Sequence, residues 1–468
     1  MNIEQPKNFT RRSLFQRAAV VGAGLVVGGS IIESTTLSFA EQIPESPVEV
    51  IDYDNAKLLG QVPGNRVSSV VHGGTGAFGM STHADTDSYQ VHLGTTMPEG
   101  ENDKLEIHRT DNFDTPAILR MGLNDQIIYA GFVTNDNKIV VRSYAKDLSS
   151  FTDVILGEGV NDGRFQWPLT GFAMLPFKGR QMAVVANHTI ESINPERGNQ
   201  PKASLGLIIA DLETGEKFDI RADSSIKRPG ETVFMGDEYI AQITKDGDDF
   251  LTITALGLWR TSFNSSSDTW ETTFEPFEIP YVGRPEMSYP CSVSYDHETG
   301  QIFYTTSSSD VYFGVLRRNA DGSGWTSEKN QLVLERTDQE PWNGNVGNSQ
   351  YAYLPFARPA GTEDVIFMTS AVWFGQPFDS NRLFGIEQEP VIHRNGTFER
   401  SNPIRKRGEW ELLANVYGDH ALVVTSDLSE PVLSVKKLPY DTSSFQPIPT
   451  FPDLEPDQKQ VFLPSLSR

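Results

Sequence analysis

Short segments rich in β-branched and aromatic residues recur along almost the whole chain, roughly every 8 to 15 residues. Turn-forming residues separate them, such as Asn-Asp-Asn at 135–137 and Asp-Gly-Asp at 246–248. Long apolar patterns with the helical period are almost absent. The sequence therefore predicts an all-β protein. The clearest runs are 126–133, 138–144, 181–186, 205–210, 238–243, 250–254, 302–306, 311–316, 365–369 and 421–425.

Two turn segments, 211–218 and 296–303, repeat almost verbatim and start 85 residues apart. Each places Glu-Thr-Gly between two β runs, with glycine where a hairpin turn needs a positive φ. Such repetition is typical of repeat architectures. Roughly two dozen strand candidates, at four strands per blade, make six or seven blades. We therefore predict a β-propeller, with seven blades expected; a large β-sandwich and a right-handed β-helix are the alternatives.

The first forty residues have the parts of an export signal in the correct order. A basic segment with Arg11 and Arg12 precedes the uncharged run 18–32, and the small-x-small triplet Ser-Phe-Ala follows at 38–40. The uncharged run contains four glycines, so it is too short and too weakly apolar for a stable membrane span. We predict a twin-arginine signal peptide over 1–40. A Sec signal with a chance arginine pair is the alternative.

The mature chain, 41–468, is expected to be a single propeller domain that is secreted or periplasmic. Residues 41–63 form an expected lead-in, and 446–468 form a proline-rich tail. The formal net charge of -23 becomes -25 without the first forty residues, which hold four basic and two acidic side chains. Nucleic acid and anionic membranes bind basic surfaces, so neither is an expected partner. We expect a monomer.

Cys291 is the only cysteine, so the chain can form no internal disulfide and no cysteine-cluster metal site. Cys291 and His297 could help to hold a zinc ion, although two ligands do not make a site. The alternative is a buried cysteine. No cofactor is required, and a structural zinc or calcium ion is the open question. Two pairs of turn aspartates could bind calcium: Asp85 with Asp87, and Asp246 with Asp248.

Several segments resemble one family of propellers. Residues 131–155 contain a strand, an Asp/Asn turn, a second strand and an apolar closing strand; 179–188 is a strand that ends in His188; and 288–290 read Ser-Tyr-Pro. They resemble the BNR-repeat β-propellers, which include sialidase-like proteins and several polysaccharide lyases, notably the ulvan lyases. The turn and tryptophan elements at 267–270 and 321–325 look like degenerate Asp boxes. The resemblance implies a propeller lyase with His188 and Tyr289 in its site.

Two positions depart from the lyase pattern. Where those lyases have a second histidine before the first, this chain has Gln166 and Trp167. Where an arginine should follow the tyrosine, it has Thr305 and Ser307. A sialidase is disfavoured, because no three-arginine carboxylate clamp with a matching acid and nucleophile is evident.

Cleavage of a uronate polymer by β-elimination needs a group that neutralises the carboxylate, a base for the C5 proton and an acid for the leaving oxygen. We assign the carboxylate contact to Arg284, neutralisation or proton donation to His188, and the base or acid role to Tyr289. A nearby cation must lower the pKa of a tyrosine before it can act as a base. Tyr239 is a weaker substitute for Tyr289. A purely structural role is the alternative for each of them.

Four histidines lie close together in one β-rich segment: His72, His83, His92 and His108. One or two of them are expected to face the central funnel, and His92 is the candidate. The predicted function is a secreted polysaccharide lyase that acts on an ulvan-like, uronic-acid-containing polysaccharide. The alternatives are a propeller glycoside hydrolase, which needs two carboxylates about 5–10 Å apart, and a non-catalytic glycan-binding propeller.

Overall fold

The structure is a computed structural model, and every regular element that it describes is a strand, as the sequence predicts. No helix in the described ranges is long and apolar enough to cross a membrane. Those ranges are 57–64, 66–83, 88–99, 102–122, 125–159, 169–186, 189–194, 200–204, 206–221, 240–254, 257–278, 289–307, 311–334, 348–357, 362–374, 383–400, 404–406, 409–416, 420–427, 431–439 and 445–447.

The recurring unit is a four-stranded antiparallel meander in which consecutive strands pair. β1 (Lys57–Pro63) precedes the first of these units. The first meander consists of β2 (Arg66–His72), β3 (Ala77–His83), β4 (Tyr89–Glu99) and β5 (Asn102–Phe113). The second meander consists of β6 (Ile118–Met121), β7 (Ile128–Val133), β8 (Lys138–Tyr144) and β9 (Phe151–Glu158).

The third meander carries an inserted hairpin between its second and third strands. Its first two strands are β10 (Phe172–Phe177) and β11 (Arg180–Ala186). The hairpin consists of β12 (Thr189–Asn194) and β13 (Gln200–Ser204), which form a separate two-stranded sheet. The meander then continues with β14 (Gly206–Asp211) and β15 (Lys217–Arg221).

The fourth and fifth meanders share one eight-stranded sheet. The fourth consists of β16 (Ile240–Asp246), β17 (Asp249–Thr254), β18 (Gly257–Asn264) and β19 (Thr269–Glu278). The fifth consists of β20 (Tyr289–Asp296), β21 (Gln301–Ser307), β22 (Val311–Arg318) and β23 (Trp325–Leu334). They are joined by a short parallel pairing between the outer strands, in which Phe277 lies opposite Trp325 and Glu278 opposite Thr326.

Two further sheets complete the described chain. A six-stranded sheet contains β24 (Asn348–Ala357), β25 (Val365–Phe374), β26 (Leu383–Arg394), β27 (Thr397–Arg400), β28 (Ile404–Lys406) and β32 (Gln446–Pro447). The closing sheet contains β29 (Glu409–Val416), β30 (His420–Asp427), β31 (Val432–Pro439) and the early strand β1. The predicted lead-in therefore ends in a strand of the closing sheet, and the proline-rich tail begins as an edge strand.

The first strands of successive sheets contact one another in a closed cycle, which runs through β2, β6, β10, β16, β20, β24 and β29 and returns to β2. Sheets whose first strands form such a ring stand radially around a central axis. This arrangement is a β-propeller, so the predicted fold is confirmed. The pairing of β1 with β31 closes the ring by joining the two ends of the chain.

The apolar core lies between neighbouring sheets and not within one layer. Residues of the first and second meanders form one cluster, and residues of the second and third form another. β7 and β14 are buried at every position. A middle strand of a blade is covered on both faces, so its sequence is a continuous apolar run with no polar alternation. This explains why 128–133 and 206–210 were such clear strand signals.

The two repeated Glu-Thr-Gly segments are hairpin turns, with φ values of 76° at Gly215 and 64° at Gly300. In each turn the aspartate carbonyl four residues earlier accepts a hydrogen bond from the glycine N–H. The first turn joins the third and fourth strands of its meander, whereas the second joins the first and second. The near-identical turns therefore do not mark the blade repeat, because the same local chemistry serves two different connections.

Candidate functional site

The predicted site residues differ in how much of them the structure describes. His188, Tyr239 and Arg284 lie outside the described residues. Tyr289 begins β20, and Cys291 follows it in the same strand, but their side chains are also outside the described part. His92 and His297 are described with their side chains. The assignments of His188, Tyr239, Arg284 and Tyr289 therefore remain predictions.

The strands next to these residues have a common direction. β19 and β23 pair in parallel, and each is the last strand of an antiparallel meander. β16 and β20 therefore also run parallel. Ile240, which follows Tyr239, and Tyr289 thus begin their strands at the same end of two neighbouring meanders. We call this the entry end of the propeller, and the end with the turns 247–248 and 297–300 the opposite end.

The third meander has the same strand order, and its first strand β10 contacts β16. β11 runs antiparallel to β10 and ends at Ala186, whose N–H donates to the carbonyl of Gly171 just before β10. If β10 runs with β16, as the repeated meander requires, Ala186 also lies at the entry end. His188 follows Ala186 by two positions.

The longest connections lie at the entry end. At the entry end, 18 residues separate β15 from β16, 10 separate β19 from β20 and 13 separate β23 from β24. At the opposite end, only 2 residues separate β10 from β11, and 2 separate β16 from β17. Long connections on a rigid scaffold are where binding and catalytic residues concentrate. The entry end is therefore the candidate functional face.

His92 lies on β4, the third strand of its sheet, and is buried. Its Nε2 is 3.0 Å from Oγ1 of Thr82, and its Nδ1 is 3.0 Å from Oγ1 of Thr110. Burial lowers the pKa of His92 to about 4, and a hydrogen bond with the backbone of Pro63 opposes part of this shift. The ring is therefore neutral near pH 7 and both its nitrogens are engaged. This environment is typical of a structural histidine and does not favour the predicted catalytic role.

The other three histidines of the first meander also lie beside hydroxyl groups. His72 Nε2 is 2.7 Å from Thr96 Oγ1, and His108 Nε2 is 2.8 Å from Thr95 Oγ1. His83 Nε2 is 2.7 Å from the Ser68 hydroxyl. The four histidines occupy four successive strands, of which only the strand of His72 is innermost.

The structure does not bring Cys291 and His297 together. They lie six positions apart along β20 and its following turn, which is about 20 Å of extended chain. One ion cannot contact side chains so far apart, so the proposed zinc pair is not supported. His297 Nε2 instead lies 3.1 Å from Thr244 Oγ1, and burial lowers its pKa despite Asp246 and Asp296. Among the described residues no group of three or more potential metal ligands occurs.

A charged network joins the fourth and fifth meanders. The Arg260 guanidinium donates to Asp246 at 3.2 Å and to Asp249 at 2.8 Å, both at the opposite end. Buried Glu275 accepts from Arg318 at 2.8 Å and from Trp325 Nε1 at 2.8 Å. Asp246 is thus held by a cation, which does not favour its predicted calcium role. Asp246 and Asp249 also do not suit the pair of carboxylates that glycoside hydrolysis needs, because Arg260 neutralises both.

The sequence reasoning missed Arg120, which lies on the innermost strand β6. Its Nη1 donates to the Leu119 carbonyl at 2.7 Å, and no carboxylate in the described ranges pairs with it. Burial lowers the pKa of Arg120 to about 10. The sequence feature that could have indicated Arg120 is a single cation inside the short apolar run Ile-Leu-Arg-Met at 118–121.

No protein-family model matches the chain, and no curated protein matches it. Similar solved structures include the β-propeller domain of Cps50 (Swd1) from Myceliophteria thermophila, which is 10% identical over 81% of this chain and 99% of that chain, with a TM-score of 0.45. Sqt1 from Saccharomyces cerevisiae is 9% identical over 82% and 99%, with a TM-score of 0.43. U3-55K is 8% identical over 82% and 98%, with a TM-score of 0.47. Sequence identities and TM-scores this low support no inference about function.

Proposed function

We propose that this protein is a polysaccharide lyase that cleaves a uronic-acid-containing, ulvan-like polysaccharide by β-elimination. The observation that carries the proposal is the common position of the strand ends beside His188, Tyr239 and Tyr289. These ends belong to three neighbouring meanders and lie at the entry end, where the longest connections are. Residues far apart in the sequence can therefore meet there.

Each proposed residue has one task. Arg284 binds the substrate carboxylate, so that the C5 proton becomes more acidic. Tyr289 takes that proton, and the nearby cation lowers the pKa of its hydroxyl enough for this role. His188 protonates the leaving oxygen or helps to neutralise the carboxylate. Tyr239 is the alternative to Tyr289 as the group that takes the proton. No bound metal is needed for this chemistry.

The test is the ultraviolet absorbance of the unsaturated uronate that β-elimination creates. The mature protein incubated with ulvan should produce this absorbance, and His188→Ala or Tyr289→Phe should reduce the rate by about 100-fold or more. His108→Ala is the matched control, because His108 is an exposed histidine on an outer strand. A folded protein that produces no absorbance with any of several uronate polymers would exclude the proposal.

A non-catalytic glycan-binding propeller is the second candidate. It is favoured by His92, the one predicted catalytic residue with a described side chain, because two threonines hold its ring inside a sheet. Binding of the same polymers without any loss of chain length, unaffected by His188→Ala, would support this candidate over the lyase.

We also infer that the propeller has seven blades. The eight-stranded sheet then counts as two blades, because only a two-residue parallel pairing joins its halves, and the cycle of contacting first strands supports this count. An experimental structure with another number of radial sheets would overturn it.

Export by the twin-arginine pathway completes the proposal. A polymer too large to enter the cell has to be cut outside it. Replacement of both Arg11 and Arg12 by lysine should therefore keep the protein in the cytoplasm, as measured by cell fractionation. Unchanged export of that variant would favour the Sec alternative.

A further inference from the structure

The innermost strand of the second meander carries a cation next to the central axis. Arg120 lies on β6, with Leu119 buried before it, and its own side chain is only half-buried. Its cross-strand neighbour is Tyr129, which packs in the cluster between the second and third meanders. Ile118, two positions earlier and therefore on the same face, packs against that cluster as well. Arg120 thus lies where the second and third meanders meet beside the channel.

The charge of Arg120 has no described counterion. The chain has 62 acidic and 39 basic residues, so carboxylates are abundant. Six other described arginines each form ion pairs with them: Arg109, Arg142, Arg180, Arg260, Arg318 and Arg394. Arg120 donates only to a backbone carbonyl among the described residues. A guanidinium has five N–H donors, so most of its hydrogen-bonding capacity remains for a ligand.

A second donor lies at the same junction. The Nε2 atom of Gln181, on β11, is buried and has no hydrogen-bond partner in the part of the chain that the structure describes. It borders the site of Gly122, which lies two residues after Arg120 on the same face. A Cβ built at Gly122 would come 3.5 Å from Gln181 Nε2 and 3.1 Å from the Tyr129 ring. Gly122 therefore lies in close contact with both meanders at this junction, and the Gln181 amide borders it.

A second cation lies on β16, the innermost strand of the fourth meander. Lys245, near the end of β16, donates through Nζ to the carbonyl of Pro176 on β10 at 2.9 Å. Pro176 is the cross-strand partner of Gln181. Arg120, Gln181 and Lys245 therefore follow one another over three neighbouring sheets at the opposite end of the channel. Both cations bind backbone carbonyls, so they leave a local positive potential in an acidic protein.

We propose that this end of the central channel is a carboxylate-binding site, in which Arg120 and Gln181 bind the ligand and Lys245 supplies additional positive charge. A planar carboxylate matches the planar guanidinium in a two-bond contact, and the ligand class is a sugar acid or another small carboxylate. The site lies away from the entry end and does not depend on the proposed lyase activity. Binding would give a partner to the buried amide nitrogen and to the half-buried guanidinium together.

Isothermal titration of the mature protein with glucuronate at low salt tests the site, with glucose as the neutral probe. We expect glucuronate to bind at one site per molecule and glucose not to bind. Arg120→Gln should weaken glucuronate binding by about tenfold or more, because it removes a charge-assisted contact. Lys146→Gln, a charge loss on an exposed turn, is the matched control and should have no effect. His188→Ala should also leave this binding unchanged.

Gln181→Glu provides a second test that keeps the size of the side chain. Its carboxylate would lie at the same junction as Arg120 and neutralise the guanidinium charge, so glucuronate binding should disappear while the melting temperature stays the same or rises. Inorganic sulfate is the competing ligand, and sulfate binding in place of glucuronate would overturn the carboxylate assignment. Unchanged glucuronate binding in folded Gln181→Glu or Arg120→Gln would overturn the site itself.

Discussion

At the residue scale, His92 illustrates how burial converts a reactive side chain into a structural one. Its two nitrogens contact the hydroxyls of Thr82 and Thr110 on the strands beside it. In water a histidine has a pKa of 6.5, and in the folded protein this pKa falls to about 4. Between these values the unfolded chain binds a proton at His92 that the folded chain does not bind.

This difference predicts how stability depends on pH. The contribution of neutral His92 is complete above pH 6.5 and is lost as the pH falls from 6.5 to about 4. Its size is about 3 kcal/mol at most. In His92→Gln, which does not titrate, the free energy of unfolding should fall less steeply over this range. Urea unfolding of the parent and of His92→Gln at several pH values measures the slope. Parallel curves for the parent and His92→Gln would contradict the prediction.

At the scale of elements, a tryptophan beside a turn joins two neighbouring meanders. Trp325 follows the turn that links β22 to β23, and its indole N–H reaches Glu275 on β19. The predicted turn and tryptophan elements therefore occupy equivalent places, between the third and fourth strands of the fourth and fifth meanders. The hydrogen bond from Trp325 joins the two meanders, and Arg260 and Arg318 also neutralise the Glu275 carboxylate that accepts it.

Removal of this carboxylate should be costly. Glu275→Ala leaves the Trp325 N–H without an acceptor and Arg318 without its partner, so we expect a loss of about 2–4 kcal/mol in the free energy of unfolding. Glu271→Ala is the matched control on the same strand, because Glu271 is exposed and its one hydrogen-bond partner among the described residues is Asn264. Urea unfolding followed by tryptophan fluorescence measures both variants. Equal stabilities for the two would show that the network does not stabilise the fold.

At the scale of the whole molecule, stability depends on closure of the ring. β1 pairs with β31 across six residue pairs, although about 370 residues separate the two strands in sequence. Val62 on β1 is fully buried in a cluster with Leu422, Val424 and Leu433 of the closing sheet. Leu58 on the same strand is 54% exposed.

These two positions allow a paired test of closure. Val62→Asp places a carboxylate in the closing core, so we expect a loss of about 4 kcal/mol or more and a large fall in the melting temperature. Leu58→Asp should change stability by less than about 0.5 kcal/mol. Calorimetry of both variants provides the measurement. Similar melting temperatures for Val62→Asp and the parent would mean that β1 is dispensable.

Much of the fold could be predicted because its signals are local. Runs such as 128–133 are apolar at every position, and Gly215 and Gly300 have the positive φ that their turns require. The site was harder to predict from the sequence. His92 was predicted to face the funnel because four histidines lie close together in one β-rich segment, yet its neighbours in space are two threonines within the sheet. Arg120 gave only a faint signal, because an isolated arginine in a strand is uninformative until the sheets around it are known.

The sequence by itself determined that this chain consists of short strands and tight turns, because alternation, apolar runs and turn chemistry depend on residues a few positions apart. Only the tertiary structure decided which strands are innermost, which end has the long connections, and that Arg120, Gln181 and Lys245 lie on neighbouring sheets at one end. The physical reason is that these relations arise when the ring closes. Closure brings together residues separated by tens to hundreds of positions, and no local pattern records which of them will meet.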